Sequence, residues 1–494
     1  MAKSEGYRVE VDVRNERGPL WDWDALVLAA GGELDGTPEK DVFGFSLDSR
    51  EISPGDVFVA LKDKRDGHDF VSKAFAAGAA GAIVETQYQR KAGDGPLIRV
   101  ADTLVALENI GRAARSRLAP EARVVAVTGS SGKTTTKDML RAAFGRLGVT
   151  HAGDKSFNNH WGVPLTLARM PADTRFGVFE IGMSHGGEIT PLTKLVRPHV
   201  AIVLNVLPAH LGNFVSEEEI ADAKGEIFAG LEPDGVAILN QDNLHFERLR
   251  TRAQSSASRI LTFGDAEGEP DAALIDCGRR ARDGMEGQRI LAEFPSSDTV
   301  TYQIALAGRH IAENSLAALL AVDALGGDVA SAAKGLAELP ALHGRGERTL
   351  LSLSRGNILL IDESYNANPA SMAAAITTAG QARSDEHGRL VLVLGDMLEL
   401  GDKAEELHRG LKEIIDAAKA DLVFACGSNM AALYYDLPAD MQGQWAATSD
   451  GLREPLLETL QAGDIVMVKG SNGSAMVPLV GALKQHHATV ADDV

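Results

Sequence analysis

The stretch VAVTGSSGKTTTKDML, residues 125–140, passes from an apolar, β-prone run through a glycine-rich turn into a helical pattern. Gly129, Ser130, Ser131, Gly132, Lys133, Thr134 and Thr135 therefore stand where a strand ends and a helix begins. Backbone N–H groups and the positive end of the helix dipole converge at such a junction and favour a phosphate. Lys133 would bridge the β and γ phosphates of a nucleotide, and the Thr134 hydroxyl would face Mg2+. The usual spacing G-x-x-x-x-G-K-[ST] is not met, because Val127 occupies the place of the first glycine. The loop is the shorter G-x-x-G-K-T-T.

From residue 122 onward, short apolar runs alternate with longer helical patterns, the signature of α/β architecture with parallel sheets. The runs are 122–129, 176–183, 199–206, 235–241, 356–364, 389–397, 421–428 and 464–471, and their continuous apolar character predicts strands covered on both faces. Two charged, proline-containing stretches, RSRLAPEAR (115–123) and LPALHGRGERT (339–349), read as boundaries. They divide the 494 residues into domains at 1–118, 119–344 and 345–494.

Composition narrows the function. A formal net charge of -20 argues against a nucleic-acid or anionic-membrane surface, both of which demand clustered positive charge. Two cysteines, Cys277 and Cys426, suggest neither a disulfide framework nor a zinc site. The polar first eighteen residues lack a signal-peptide core, and no run of about 18 apolar residues occurs, so a cytoplasmic protein without membrane insertion is expected.

Other strand ends carry candidate chemistry. Glu180 closes the 176–183 strand and His210 follows the 199–206 strand, at the carboxyl edge where open parallel sheets bind ligands. Together with Lys133 and Thr134 they could hold a metal shared with nucleotide phosphates. Gly182-Met183-Ser184-His185-Gly186 satisfies the G-x-S-x-G pattern of α/β-hydrolases, a short pattern that chance supplies readily among 51 glycines. A GTPase reading would want an N-K-x-D segment, and none is present. Lys224, in the polar helical stretch SEEEIADAKGEIFAGL, reads from its spacing as a surface lysine. In the last third, the segments DESYNANPASM (362–372), GDMLELG (395–401) and VKGSNGS (468–474) all follow strands, which implies a second binding face opposed to the first.

Taken in order, TGSSGKTTTK (128–137), SFNNHWGVPLTL (156–167), EIGMSHGGEI (180–189), NVLPAHLGNF (205–214), AKGEIF (223–228), GRHIAENSLAAL (308–319), DESYNANPASM, LGDMLELG and VKGS resemble the ATP-dependent Mur ligases. SLDSREISPGDVFVALKDKRDGHDF (46–70) and the DESYNANP segment resemble the member that adds D-alanyl-D-alanine to UDP-N-acetylmuramoyl-tripeptide (UDP-MurNAc-tripeptide), the last cytoplasmic step towards the peptidoglycan pentapeptide precursor. A sister ligase adding one amino acid, or a folylpolyglutamate synthase, is the nearest alternative, and a hydrolase using Ser184 the remote one.

The resemblance implies a UDP-sugar-binding N-terminal domain, a central P-loop ATPase domain and a C-terminal Rossmann-like domain in a monomer. It implies ATP and two Mg2+ sites, with Thr134, Glu180, His210 and Lys224 at the metal and Lys224 carbamylated. His310 and Asn314 would flank the adenine, and Asp362 and Glu363 would contact the nucleotide. Ser46, Asp48, Ser49 and Arg50 would face the uridine or its phosphates. Asn158, Asn159, Tyr365, Asn366 and Asn368 would meet the substrates. Ser184, His160, Glu363 and Asn472 depart from the family pattern, which commonly has asparagine, glutamate, aspartate and arginine there.

Overall fold

The computed structural model describes residues 18–208, 211–282, 285–340, 343–353, 356–383 and 388–491. Three sheets organise them. The first comprises β1 (Glu33–Asp35), β2 (Gly44–Ser46), β3 (Asp56–Val59), β4 (Gly81–Glu85) and β5 (Leu97–Val100), in the order β1-β5-β4-β3-β2 and antiparallel only at β1–β5.

The second sheet has nine strands. These are β6 (Arg123–Thr128), β7 (Thr150–Ala152), β8 (Phe176–Glu180), β9 (Val200–Val203), β10 (Val236–Asn240), β11 (Arg259–Asp265), β12 (Ala272–Arg282), β13 (Met285–Phe294) and β14 (Ser297–Ile304). Their order is β14-β13-β12-β11-β10-β9-β6-β8-β7, and β6 lies between β8 and β9, parallel to both. The third sheet runs β15-β16-β20-β17-β18-β19. It contains β15 (Glu347–Leu353), β16 (Gly356–Glu363), β17 (Leu390–Gly395), β18 (Leu422–Cys426), β19 (Gln442–Ala446) and β20 (Ile465–Lys469).

The eight apolar runs all appear as strands, in parallel pairing with their neighbours among them. Parallel pairing stops towards one edge of each of the second and third sheets, however: β12–β13, β13–β14 and β15–β16 are antiparallel, whereas the opposite edges, β7–β8 and β18–β19, stay parallel. The reason lies in burial. In β13, Gln288, Ile290, Ala292 and Phe294 are buried while Arg289 and Glu293 are exposed, so one face meets the core and the other water.

Core placement separates the three bodies unequally. Val125, Val127 and Ile202 pack on one face of the central sheet against Met139, Phe144 and Leu316 of the helices Lys133–Gly145 and Arg309–Ala324. Ala126, Phe179 and Val203 pack on the other, against Leu192 and Ile220. The N-terminal core is continuous with the central body, because Leu165 and Ala168 of the helix Gly162–Ala168 belong to the same cluster as Trp21, Phe45 and Ile110. Polar contacts reinforce that seam: Trp21 Nε1 donates to Ala168 O at 3.0 Å, Arg169 Nε to Phe45 O at 2.8 Å, and the Arg117 guanidinium stacks 3.8 Å from the Trp21 ring. The two C-terminal clusters draw only on residues 351–483.

Candidate active site

The glycine-rich turn leaves β6 and enters the helix Lys133–Gly145 through Gly132, whose φ of +80° is the left-handed conformation that glycine tolerates. A Cβ there would lie 2.5 Å from Asn314 Nδ2. The turn is strapped to the end of β9: Ser131 N donates to Asn205 Oδ1 at 2.9 Å, and Ser130 Oγ donates to Leu207 O at 3.0 Å. Lys133 Nζ donates back to Gly129 O at 2.7 Å, across the mouth of the loop.

Thr134 is the centre of a tight cluster. Its Oγ1 donates to Glu180 Oε2 at 2.8 Å and lies 2.7 Å from Ser156 Oγ. Asn158 Nδ2 fixes the other carboxylate oxygen, Glu180 Oε1, at 2.7 Å. The hydroxyls of Thr134 and Ser156 and the Glu180 carboxylate form an all-oxygen donor set, which suits Mg2+. Arg345 then enters from the opposite side, its Nη2 donating to Thr134 Oγ1 at 3.2 Å and to Ser156 Oγ at 3.3 Å. The same guanidinium stacks 4.0 Å from the Tyr365 ring.

These groups border a cavity of about 750 Å3. On one side it is lined by Ser130, Ser131, Gly132, Lys133, Thr134 and Thr135, with Asn158 and Glu180. His310 and Asn314, one turn apart on the helix Arg309–Ala324, present the same face to it. His310 has much of its surface open to the cavity yet is enclosed by its walls, and that enclosure lowers its pKa despite the nearby Glu363 carboxylate. Glu363, Tyr365, Asn366 and Asn368 line the opposite wall, with Leu398, Lys469 and Asn472. The strand ends of β16, β20 and β17 are adjacent in their sheet, so the three loops 362–372, 395–401 and 468–474 face the phosphate turn together.

Several expected residues lie elsewhere. Asp362 does not line the cavity: its carboxylate accepts from Gly344 N at 3.2 Å and from Ser364 N at 3.1 Å, so it shapes the loop that carries Glu363 and Tyr365. Asn159 accepts from Gly162 N at 2.9 Å and caps the helix behind Asn158. Asn368 has two tasks, capping the helix Pro369–Gln381 and reaching Ser130 O with Nδ2 at 3.5 Å. Ser46 is buried, and Ser46, Asp48, Ser49 and Arg50 form a separate turn. The Arg50 guanidinium holds the Asp48 carboxyl down at about 2. That turn borders the cavity loop through Lys155, whose Nζ meets Glu51 Oε1 at 2.6 Å. His210 lies outside the described residues.

Lys224 overturns its reading as a surface residue. It is 3% exposed, and both burial and the nearby Lys133 ammonium push its pKa well below the usual lysine value. Its helix Glu217–Gly225 turns Ile220, Ala221 and Lys224 inward, a tertiary effect that a polar sequence conceals. Nothing in the spacing of Arg345, Ser156, Asn205 or Lys469 marks a role for them in the sequence. Arg345 reads as part of a charged linker, and Lys469, 3% exposed, is spent on Asn366 O at 2.9 Å and Glu363 Oε2 at 3.3 Å. Ser184 sits in an exposed loop, where its N–H donates to Glu188 and the His185 imidazole pairs with the same carboxylate.

Comparison with known proteins agrees with this arrangement. Residues 127–322 match the Mur ligase middle domain, and residues 344–472 match the Mur ligase glutamate ligase domain. The UDP-N-acetylmuramoyl-tripeptide--D-alanyl-D-alanine ligase of Escherichia coli K12 is 36% identical over 92% of this chain and 96% of its own. The chain belongs to the Mur ligase family. The crystal structure of MurF from Acinetobacter baumannii, at 31% identity, superposes with a TM-score of 0.80 over 95% of this Mur ligase and all of that chain. MurF from Thermotoga maritima in complex with ADP, at 27% identity, gives 0.71 over 90% and 98%.

Proposed function

We propose that this Mur ligase uses ATP to join D-alanyl-D-alanine to UDP-MurNAc-tripeptide in peptidoglycan synthesis. The observation that carries the reading is the facing of two strand-end surfaces across one cavity, with Lys133, Thr134 and Glu180 on one and Glu363, Tyr365 and Lys469 on the other. One surface suits a nucleotide phosphate; the other supplies polar contacts for a second reactant. The γ-phosphoryl group of ATP passes to the terminal carboxylate of the tripeptide, releasing ADP. The amine of D-alanyl-D-alanine then attacks the acyl carbon, loses a proton, and displaces phosphate to leave an amide.

Phosphoryl transfer is largely a matter of positioning and charge. Lys133 and the amides at the helix start would bind the β and γ phosphates, and Arg345 would bring a second cation to the transferring group. Thr134, Glu180 and His210 would hold Mg2+, which supplies charge neutralisation on the phosphate oxygens when bound. Asn158 keeps Glu180 aimed at Thr134. His310 and Asn314 would flank the adenine. Asn366 and Asn368, on the facing loop, would meet the substrates.

Lys224 fits carbamylation. Its depressed pKa favours the neutral amine, which can form an N–C bond to CO2 and release a proton, turning a buried neutral amine into an anion beside Lys133. That anion would be suited to a second Mg2+. Residues 1–118 would bind the UDP-sugar, 119–344 ATP, and 345–494 the dipeptide. The enzyme would act as a cytoplasmic monomer. Among the described residues no helix is long and apolar enough to cross a membrane.

The test is phosphate release with ATP, Mg2+ and UDP-MurNAc-tripeptide, comparing D-alanyl-D-alanine with single amino acids. Release that requires the dipeptide is expected. Release driven by a single amino acid or by glutamate on a folate would overturn the reading.

A further inference from the structure

The loop between β7 and the helix Gly162–Ala168 carries side chains on which the cavity depends. Ser156 Oγ sits 2.7 Å from Thr134 Oγ1, and Asn158 Nδ2 holds Glu180 Oε1 at 2.7 Å. Its far end is fixed by the backbone, Gly182 N donating to Asn158 O at 2.8 Å. Its near end is held by a side chain. Lys137, one turn beyond Lys133 on the phosphate-loop helix, is 1% exposed, and its Nζ donates to the Gly153 carbonyl.

An ammonium hidden this completely is unfavourable unless paired. The partner is Asp138, 4% exposed, with Oδ1 3.2 Å from Nζ. Arg141 approaches the same carboxylate at 3.5 Å and Asp154, in the loop itself, at 4.0 Å. Gly153 is packed as well, since an added Cβ would lie 3.1 Å from Thr166 Oγ1. A cation needed only for helix stability or solubility would stay at the surface. Here its donor is committed to the backbone of the one loop that braces both Thr134 and Glu180.

We propose that Lys137 is a positioning residue for the ligase reaction, tying loop 153–158 to the phosphate-loop helix so that Ser156 and Asn158 hold Thr134 and Glu180 in register during phosphoryl transfer. This rests on the reading of the cavity as the ATP site. The groups it aligns lie at the phosphate end, so its contribution falls on turnover and not on nucleotide capture. Misplacement of reacting groups by about 1 Å costs roughly 10²-fold in rate.

The experiment uses the full chain and the phosphate-release assay with ATP, UDP-MurNAc-tripeptide and D-alanyl-D-alanine. Lys137→Met is compared with the double variant Lys137→Met/Asp138→Asn, which removes both buried charges together and leaves no unpaired carboxylate. Lys137→Arg keeps a charged donor. The double variant is expected to lose kcat by roughly 10²-fold with the ATP KM within about twofold of wild type, and Lys137→Arg to recover most of the loss. A wild-type kcat, a loss confined to the ATP KM, or no recovery by Lys137→Arg overturns the proposal. Should the double variant fail to fold, Lys137→Gln, which retains a shorter neutral donor, gives the same reading: reduced kcat at unchanged ATP KM supports it and wild-type kcat refutes it. A wild type that releases no phosphate with the dipeptide would sink the functional reading, and the proposal with it. A dipeptide-dependent wild type with unaffected variants sinks only the role of Lys137.

Discussion

Lys224 shows at the residue scale how burial sets chemistry. Burial and the nearby Lys133 ammonium lower its pKa, which favours the neutral amine that carbamylation would require. Stripping CO2 from the buffer is expected to lower turnover, and added bicarbonate to restore it. Protonation of that amine at lower pH would compete with carbamylation, so the bicarbonate requirement is expected to rise as pH falls. Lys224→Met should be inactive with or without bicarbonate; activity indifferent to both would exclude the modification. His199 gives a second pH effect, on stability. Its Nδ1 accepts from Val124 N at 2.9 Å, and burial lowers its pKa to about 4. The unfolded chain therefore binds a proton that the folded one rejects between pH 6.5 and about 4, and stability falls as pH drops through that window. Melting curves from pH 7 to pH 4 should show the decline, and His199→Asn, which can accept from Val124 N without titrating, should make it shallower, the rest coming from His151, whose pKa burial also lowers to about 4.

Elements explain what the sequence made legible and what it hid. Eight strands announced themselves as apolar runs because both of their faces are covered. The N-terminal strands did not: β1 and β2 have three residues each, too few to establish a period. Strands β13 and β14 carry a weaker signal, because their alternation of polar and apolar residues lacks the continuous run of a doubly covered strand. The candidate site was legible at some strand ends, as at Glu180 and Glu363, but not at others, as at Asn205 and Lys469, and it was illegible where a linker supplied the residue, as with Arg345. Asn368 joins element and site. Its capping box starts the helix Pro369–Gln381, so Asn368→Ala should cost about 1 kcal/mol, visible as a lower urea midpoint. Serine caps equally well but cannot reach Ser130 O. Asn368→Ser is therefore expected to keep the midpoint while weakening activity, and a loss of midpoint equal to alanine's would contradict the assignment.

The whole molecule is asymmetric in how its parts are joined. The N-terminal sheet shares a hydrophobic cluster with the central body, whereas the C-terminal clusters are self-contained and meet the centre through polar contacts such as Arg345–Thr134 and Gly212 N to Glu399 O at 3.1 Å. The C-terminal body is accordingly the one expected to move when ligands bind. Small-angle scattering should show a smaller radius of gyration with an ATP analogue and the UDP-substrate together; an unchanged radius would argue for a fixed arrangement. Trp21→Ala should not mimic this change, since it opens the other seam and lowers thermal stability instead.

Arg345 is a strut across that seam, with its head on the phosphate turn and its flat face on Tyr365. A small molecule lodged between them would work as a wedge as well as a plug. It would keep the two halves of the machine out of step, and because it fills the space beside Thr134 where the phosphates and Mg2+ would lie, raising ATP is expected to relieve the inhibition.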